Sequence, residues 1–175
     1  MPLVGRGDGA LVAFVSREQG RVYRLAAETR NAIVGFTTAE AHAGAPELLE
    51  VAAPLLEESR AREEEEALER WREEAGKNGR AASAWKTTLE AASDGRVDVL
   101  LFHEGVDREA WECPQDGRAS ADAGACPLDG TPMERRESGL DLAVHQTLAH
   151  GGTVTTIHHH RDLEPVEGIA ALLRY

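Results

Sequence analysis

The chain has 175 residues, enough for one domain or two small ones with a sizeable core. Its 42% hydrophobic and 29% charged content is that of an ordinary globular protein and excludes a disulfide-only scaffold, while aromatics at 5% leave burial to Leu, Val and Ala. With 19 basic against 31 acidic residues the formal charge is -12, which excludes broad attraction to nucleic acid or anionic membrane and leaves only a local basic patch as a route to either.

The acidity is uneven. Residues 1–45 carry 5 basic and 4 acidic side chains, residues 46–77 carry 5 and 11, and residues 95–175 carry 7 and 14. Direct RNA contact is therefore favoured, if anywhere, in the N-terminal part. No apolar run approaches the roughly 18 residues of a membrane span, and Met1 to Arg24 lacks a basic start followed by a long apolar core, so a cytoplasmic location is expected.

Gly5, Gly7 and Gly9 open the chain without the spacing or lysine of a phosphate loop and read as a flexible turn. Ala10 to Val15 and Arg21 to Leu25, separated by Glu18-Gln19-Gly20, have the pattern of a β-hairpin, and Ala32 to Phe36 reads as a third strand. From Pro46 the apolar residues Leu48, Leu49, Val51, Ala52, Leu55 and Leu56 recur at helical spacing, which predicts a long helix kinked at Pro54 and ending near Gly76 and Gly79. Its run Glu63-Glu64-Glu65-Glu66 reads either as an acidic tract for a partner or, the reading favoured by the interleaved arginines, as a solvated helix face.

A boundary is expected at Gly76 to Arg80, dividing the chain into 1–77 and 78–175. In the second part Ala81 to Ala92 reads as a helix stopped by Asp94-Gly95, and Val97 to Phe102 as a buried strand. An insertion over about 111–133 is rich in Gly, Asp and Pro. Gly139 to Ala149 reads as a helix ended by Gly151-Gly152, Thr153 to Ile157 as a strand, and Ile169 to Leu173 as a terminal strand. Alternating strands and helices predict a small three-layer α/β/α sandwich preceded by an α+β segment and the long helix.

The insertion holds a repeated pentapeptide, Cys113-Pro114-Gln115-Asp116-Gly117 and Cys126-Pro127-Leu128-Asp129-Gly130. A zinc ribbon uses two Cys-x-x-Cys-Gly knuckles whose turns bring the thiolates to one metal. Here aspartate holds the second ligand position of each knuckle. Cys113, Asp116, Cys126 and Asp129 thus read as a candidate Cys2Asp2 zinc site, weaker and less zinc-selective than four cysteines. The reading favoured over it is a metal-free ribbon in which the aspartates cap tight turns, so no cofactor is expected; a disulfide between the cysteines is the third reading. His158-His159-His160 resembles a metal cluster, but on a strand only His158 and His160 share a face, and exposure at a strand end is the favoured reading. His103 and His145 have no assignable partner, no Gly-x-Ser-x-Gly elbow or other catalytic set is present, and no aromatic platform for single-stranded nucleic acid is evident.

With the knuckles inside a small α/β domain, the strand Gly95-Arg96-Val97-Asp98-Val99-Leu100-Leu101 and the ending Gly168-Ile169-Ala170-Ala171-Leu172-Leu173-Arg174-Tyr175, the chain resembles the C-terminal part of archaeal and eukaryotic class 1 peptide-release factors and of Pelota. The likeness is greatest to their bacterial relatives, the Balon-like hibernation factors. Ala41 to Leu49 and the acidic helix resemble the end of that family's middle domain, so the likeness spans roughly 26–175. It implies a final domain with the fold of kink-turn-binding ribosomal proteins, carrying a degenerate zinc-ribbon-like insertion and preceded by a shortened middle-domain-like segment.

The family's Gly-Gly-Gln loop is absent, Gly151-Gly152-Thr153 belongs to a helix-to-strand turn, and the N-terminal part offers only Gln19. The resemblance therefore implies a non-enzymatic, translation-associated protein that docks on a translational GTPase of the elongation-factor type or on the ribosome. The competing classes are a direct binder of structured RNA, disfavoured by the net charge of -7 over residues 95–175, and a peptidyl-tRNA hydrolase-like enzyme.

Overall fold

The computed structural model describes residues 10–15, 20–25, 32–37, 45–77 and 79–175, in two compact units, 1–63 and 64–175. The glycine turn at Gly5, Gly7 and Gly9, the loop residues Glu18 and Gln19, and residues 41–44 of the family likeness lie outside the described residues.

In the first unit β1 (Ala10–Val15), β2 (Gly20–Leu25) and β3 (Ala32–Thr37) form an antiparallel sheet in chain order. Val15 faces Gly20 across the hairpin, and the β2–β3 register shifts between Val22 and Tyr23. Helix α1 (Ala45–Gly76) contains Pro54 and continues past the end of this unit. The division thus falls inside the helix, at Glu63/Glu64, rather than at 77/78. The reason is physical: Leu68 and Trp71 of α1 belong to the core of the second unit.

That unit is a three-layer α/β/α sandwich. Its sheet has the order β4 (Ala81–Ser83), β10 (Ile169–Leu173), β5 (Val97–His103), β9 (Thr153–Ile157). β10 runs antiparallel to both β4 and β5, and β9 runs parallel to β5. Side chains alternate across a strand, so the apolar run Ile169-Ala170-Ala171-Leu172-Leu173 serves both faces at once. Ile169, Ala171 and Leu173 join Leu100 and Val97 beneath α2 (Ala84–Ser93) and α3 (Gly139–Ala149), with Trp85, Leu89 and Ala143 from those helices. Ala170 and Leu172 join Leu101, Ile157 and Leu163 on the opposite face, beneath Leu68 and Trp71. Trp71 also donates its Nε1–H to the Ala82 carbonyl at 3.2 Å, fixing the helix end to β4.

One element differs from the sequence reading. Ala81 to Ser83 is a strand and the helix starts only at Ala84, because the free edge of β10 takes these three residues into the sheet and overrides their helical propensity. The chain then turns through Ala84 at φ 65°, a left-handed conformation rare for a residue with a Cβ. Trp85 N–H, one of the free donors of the new helix, is met from a distance by Glu167 Oε2 at 3.3 Å.

The insertion between β5 and α3 carries its own small sheet, β6 (Ala110–Glu112), β7 (Ala119–Ser120) and β8 (Glu134–Arg136), in the order β7-β6-β8. Among the described residues no helix is long and apolar enough to cross a membrane.

Candidate metal centre

The two pentapeptides fold as near copies. In the first, Gly117 N–H donates to Cys113 O at 2.9 Å and Cys113 N–H donates to Arg118 O at 2.8 Å. In the second, Gly130 N–H donates to Cys126 O at 2.9 Å and Cys126 N–H donates to Thr131 O at 2.8 Å. These turns close only if the fifth residue adopts positive φ, and Gly117 and Gly130 do so at 75° and 76°.

The fourth residue is where each knuckle departs from a four-cysteine ribbon. Asp116 accepts from Arg118 N–H through Oδ1 at 2.9 Å, and Asp129 accepts from Thr131 N–H in the same way at 2.9 Å. The turn-capping role expected for these aspartates is therefore present. It occupies one carboxylate oxygen and leaves the other to face the opposite knuckle. Cys126 donates its thiol to Asp116 Oδ2 at 3.4 Å, and Cys113 Sγ lies 4.0 Å from Asp129 Oδ2. These two contacts are crossed between the knuckles, and each thiol also meets the carboxylate of its own knuckle.

Both cysteines are free thiols and almost wholly buried, whereas both aspartates are exposed at the rim. Backbone N–H donation from Arg118, with the Cys113 thiol adding to it, holds the Asp116 carboxyl below its ordinary range. The Thr131 N–H and hydroxyl do the same for Asp129. Burial pushes the Cys126 thiol up, against the pull of the Leu128 and Asp129 amides.

One donor atom from each of Cys113, Asp116, Cys126 and Asp129 lies within 4.8 Å of all the others. Tetrahedral zinc, with bonds of about 2.3 Å to sulfur and about 2.0–2.2 Å to oxygen, sets its donors roughly 3.3–3.8 Å apart. The cluster is thus close to the required size, and the residues present fit an ion of that class.

The first knuckle is seated on the sandwich. Arg118 pairs with Asp94 at the end of α2 at 2.6 Å, Gln146 of α3 donates to Gly117 O at 2.7 Å, and Ala119 N–H donates to Ser93 Oγ at 2.9 Å. The second knuckle projects outward, its tip residue Leu128 being 69% exposed.

The histidine run stands elsewhere and does something the sequence reading did not foresee. It follows β9, and each ring meets a carboxylate: His158 Nδ1 lies 3.2 Å from Glu104, His159 Nδ1 3.0 Å from Glu64, and His160 Nδ1 3.1 Å from Glu65. Glu64 also accepts the main-chain N–H groups of His158 and His159 at 3.0 and 2.9 Å. Only 3% of Glu64 is exposed, so one member of the four-glutamate run is an internal anchor and not part of a solvated face. Its place four residues before Leu68 and seven before Trp71, on the buried stripe of α1, is the signal that marks it. Burial alone would raise its carboxyl, but hydrogen bonds from His159 and His158 outweigh burial and hold it below the usual range. His103 is half-buried at the end of β5, and its Nε2 has no hydrogen-bond partner among the described residues, while His145 is exposed on α3.

No protein-family model and no curated protein matches the sequence. Solved structures do. The C-terminal domain of a peptide chain release factor from Methanosarcina mazei is similar with a TM-score of 0.54 at 22% identity, covering 77% of this chain and 98% of that one. The fold is that of a release-factor C-terminal domain. Pelota from Archaeoglobus fulgidus is similar with a TM-score of 0.51 at 22% identity over 79% of this chain, which spans 38% of the Pelota length. In this fold the knuckles lie in the insertion between β5 and α3, the first of them against the end of α2 and against α3.

Proposed function

We propose that the chain is a non-enzymatic, translation-associated protein, a relative of the release, rescue and hibernation factors, that docks on a translational GTPase of the elongation-factor type or on the ribosome. The observation that carries this reading is the fold likeness, which takes in 98% of the release-factor C-terminal domain. The charge supports protein docking over RNA binding, since residues 95–175 carry 7 basic and 14 acidic side chains.

The test is co-sedimentation of the purified chain with ribosomes, and in parallel its binding to a purified elongation-factor-type GTPase, each at low and moderate salt. Retention that survives moderate salt with either partner supports docking. Binding only to deproteinised structured RNA, falling steeply with salt, replaces this reading with the RNA-binding one. Recovery with neither partner removes it.

A further inference from the structure

We propose that Cys113, Asp116, Cys126 and Asp129 form a mixed sulfur–oxygen site for a divalent cation of the zinc class, and that the ion is exchangeable, the knuckles being closed with or without it. Two sets of observations carry this. The first is donor geometry: four ligand atoms on two turns of matching hydrogen-bond pattern lie within 4.8 Å of one another, with the thiols buried and one oxygen of each aspartate turned across to the opposite thiol. Turn capping by the other oxygen orients each carboxylate, as a hydrogen-bonded outer contact orients a metal ligand.

The second is that the same four groups already satisfy one another. In a ribbon of four cysteines the ion alone joins the knuckles, so folding and binding are one event. Here the crossed thiol–carboxylate contacts join them directly. The first knuckle is also tied to α2 and α3 through Arg118 and Gln146, independently of any ion. Binding replaces the two thiol protons by the metal, the protons leaving to solvent, and the turns need close by no more than about 1 Å. Two oxygens in place of two thiolates weaken the hold on a borderline-soft ion, which makes exchange the expected behaviour.

The experiment is titration of the full chain, under reducing conditions, with Co2+ as a visible probe, followed by Zn2+ and then a chelator. Expected are the visible bands of tetrahedral Co2+ with sulfur-to-cobalt charge transfer, bleached by Zn2+ and abolished by the chelator. The amides of Gly117 and Gly130 should keep their hydrogen-exchange protection throughout. No visible band at millimolar Co2+ overturns the site. Loss of amide protection on chelation overturns the claim that the ion is exchangeable and makes it structural.

Two variants separate the site from the fold. D116N/D129N keeps an amide oxygen to cap each turn but loses the anionic ligands, and should stay folded without cobalt bands. D116C/D129C restores four thiols and should bind Zn2+ on the order of 100-fold more tightly than the natural chain. Equal zinc affinity of D116C/D129C and the natural chain would overturn the ligand assignment of the aspartates.

Discussion

Glu64 is a polar anchor of the second unit. Its carboxylate takes two consecutive main-chain N–H groups and a histidine ring at the point where β9 ends, all from within the protein interior. Removing it leaves two part-buried main-chain N–H groups and a histidine ring without their acceptor, so their desolvation goes uncompensated along with the lost bonds. Glu64→Ala is expected to lower stability by roughly 2–4 kcal/mol in urea unfolding, and Glu64→Gln, which keeps one acceptor, by less. The pH dependence has a definite sign. A carboxyl held below its unfolded value, about 4.3 for glutamate, contributes fully above that pH and loses its contribution as pH falls through the lower folded value. The stability gap between the natural chain and Glu64→Gln should therefore be constant near neutrality and shrink only below about pH 4.3. A gap that does not change down to pH 3 would remove the charge from the account.

At the scale of elements, the junction of β4 and α2 shows how tertiary pairing reshapes local preference. Ala81, Ala82 and Ala84 would all suit a helix, yet the edge of β10 claims the first two as strand and forces the turn through a left-handed alanine. Glycine adopts that conformation without a Cβ penalty, so Ala84→Gly is expected to raise stability by about 0.5–1 kcal/mol. A matched decrease in thermal denaturation would show that helix propensity at the first turn outweighs the strain. The same junction explains what could be read from residues alone. The spans Ala10–Val15, Gly139–Ala149, Thr153–Ile157 and Ile169–Leu173 follow directly from the local apolar pattern and Gly or Asp punctuation. β4 was hidden, since three residues paired to a strand almost ninety positions away carry no periodic signal. The knuckle set was legible as a spacing, through the repeat itself. The crossing of each thiol to the other knuckle's aspartate, and the burial of Glu64 among exposed glutamates, are contacts distant in sequence and had no local trace.

At the scale of the molecule, the decisive question is where the second unit begins. Composition places the boundary after the helix, near Gly76, since glycine and a change of pattern coincide there. Packing places it at Glu64, because the sheet needs a third layer and the last turns of α1 supply it. Leu68 is fully buried and Trp71 nearly so, both against Leu101, Ala170 and Leu172 from the central strands. Truncating side chains of this kind costs about 2–5 kcal/mol for leucine and about 3–5 for tryptophan. Losing both, together with the Glu64 anchor, is comparable to the whole stability of a typical domain, about 5–15 kcal/mol. A fragment of residues 64–175 should therefore unfold cooperatively in urea, whereas a fragment of residues 78–175 should show no cooperative transition and should expose the apolar face of Leu101 and Leu172 to a hydrophobic dye. Equal midpoints for the two fragments would mean that the helix end covers the sheet without stabilising it, and the unit would then begin at β4.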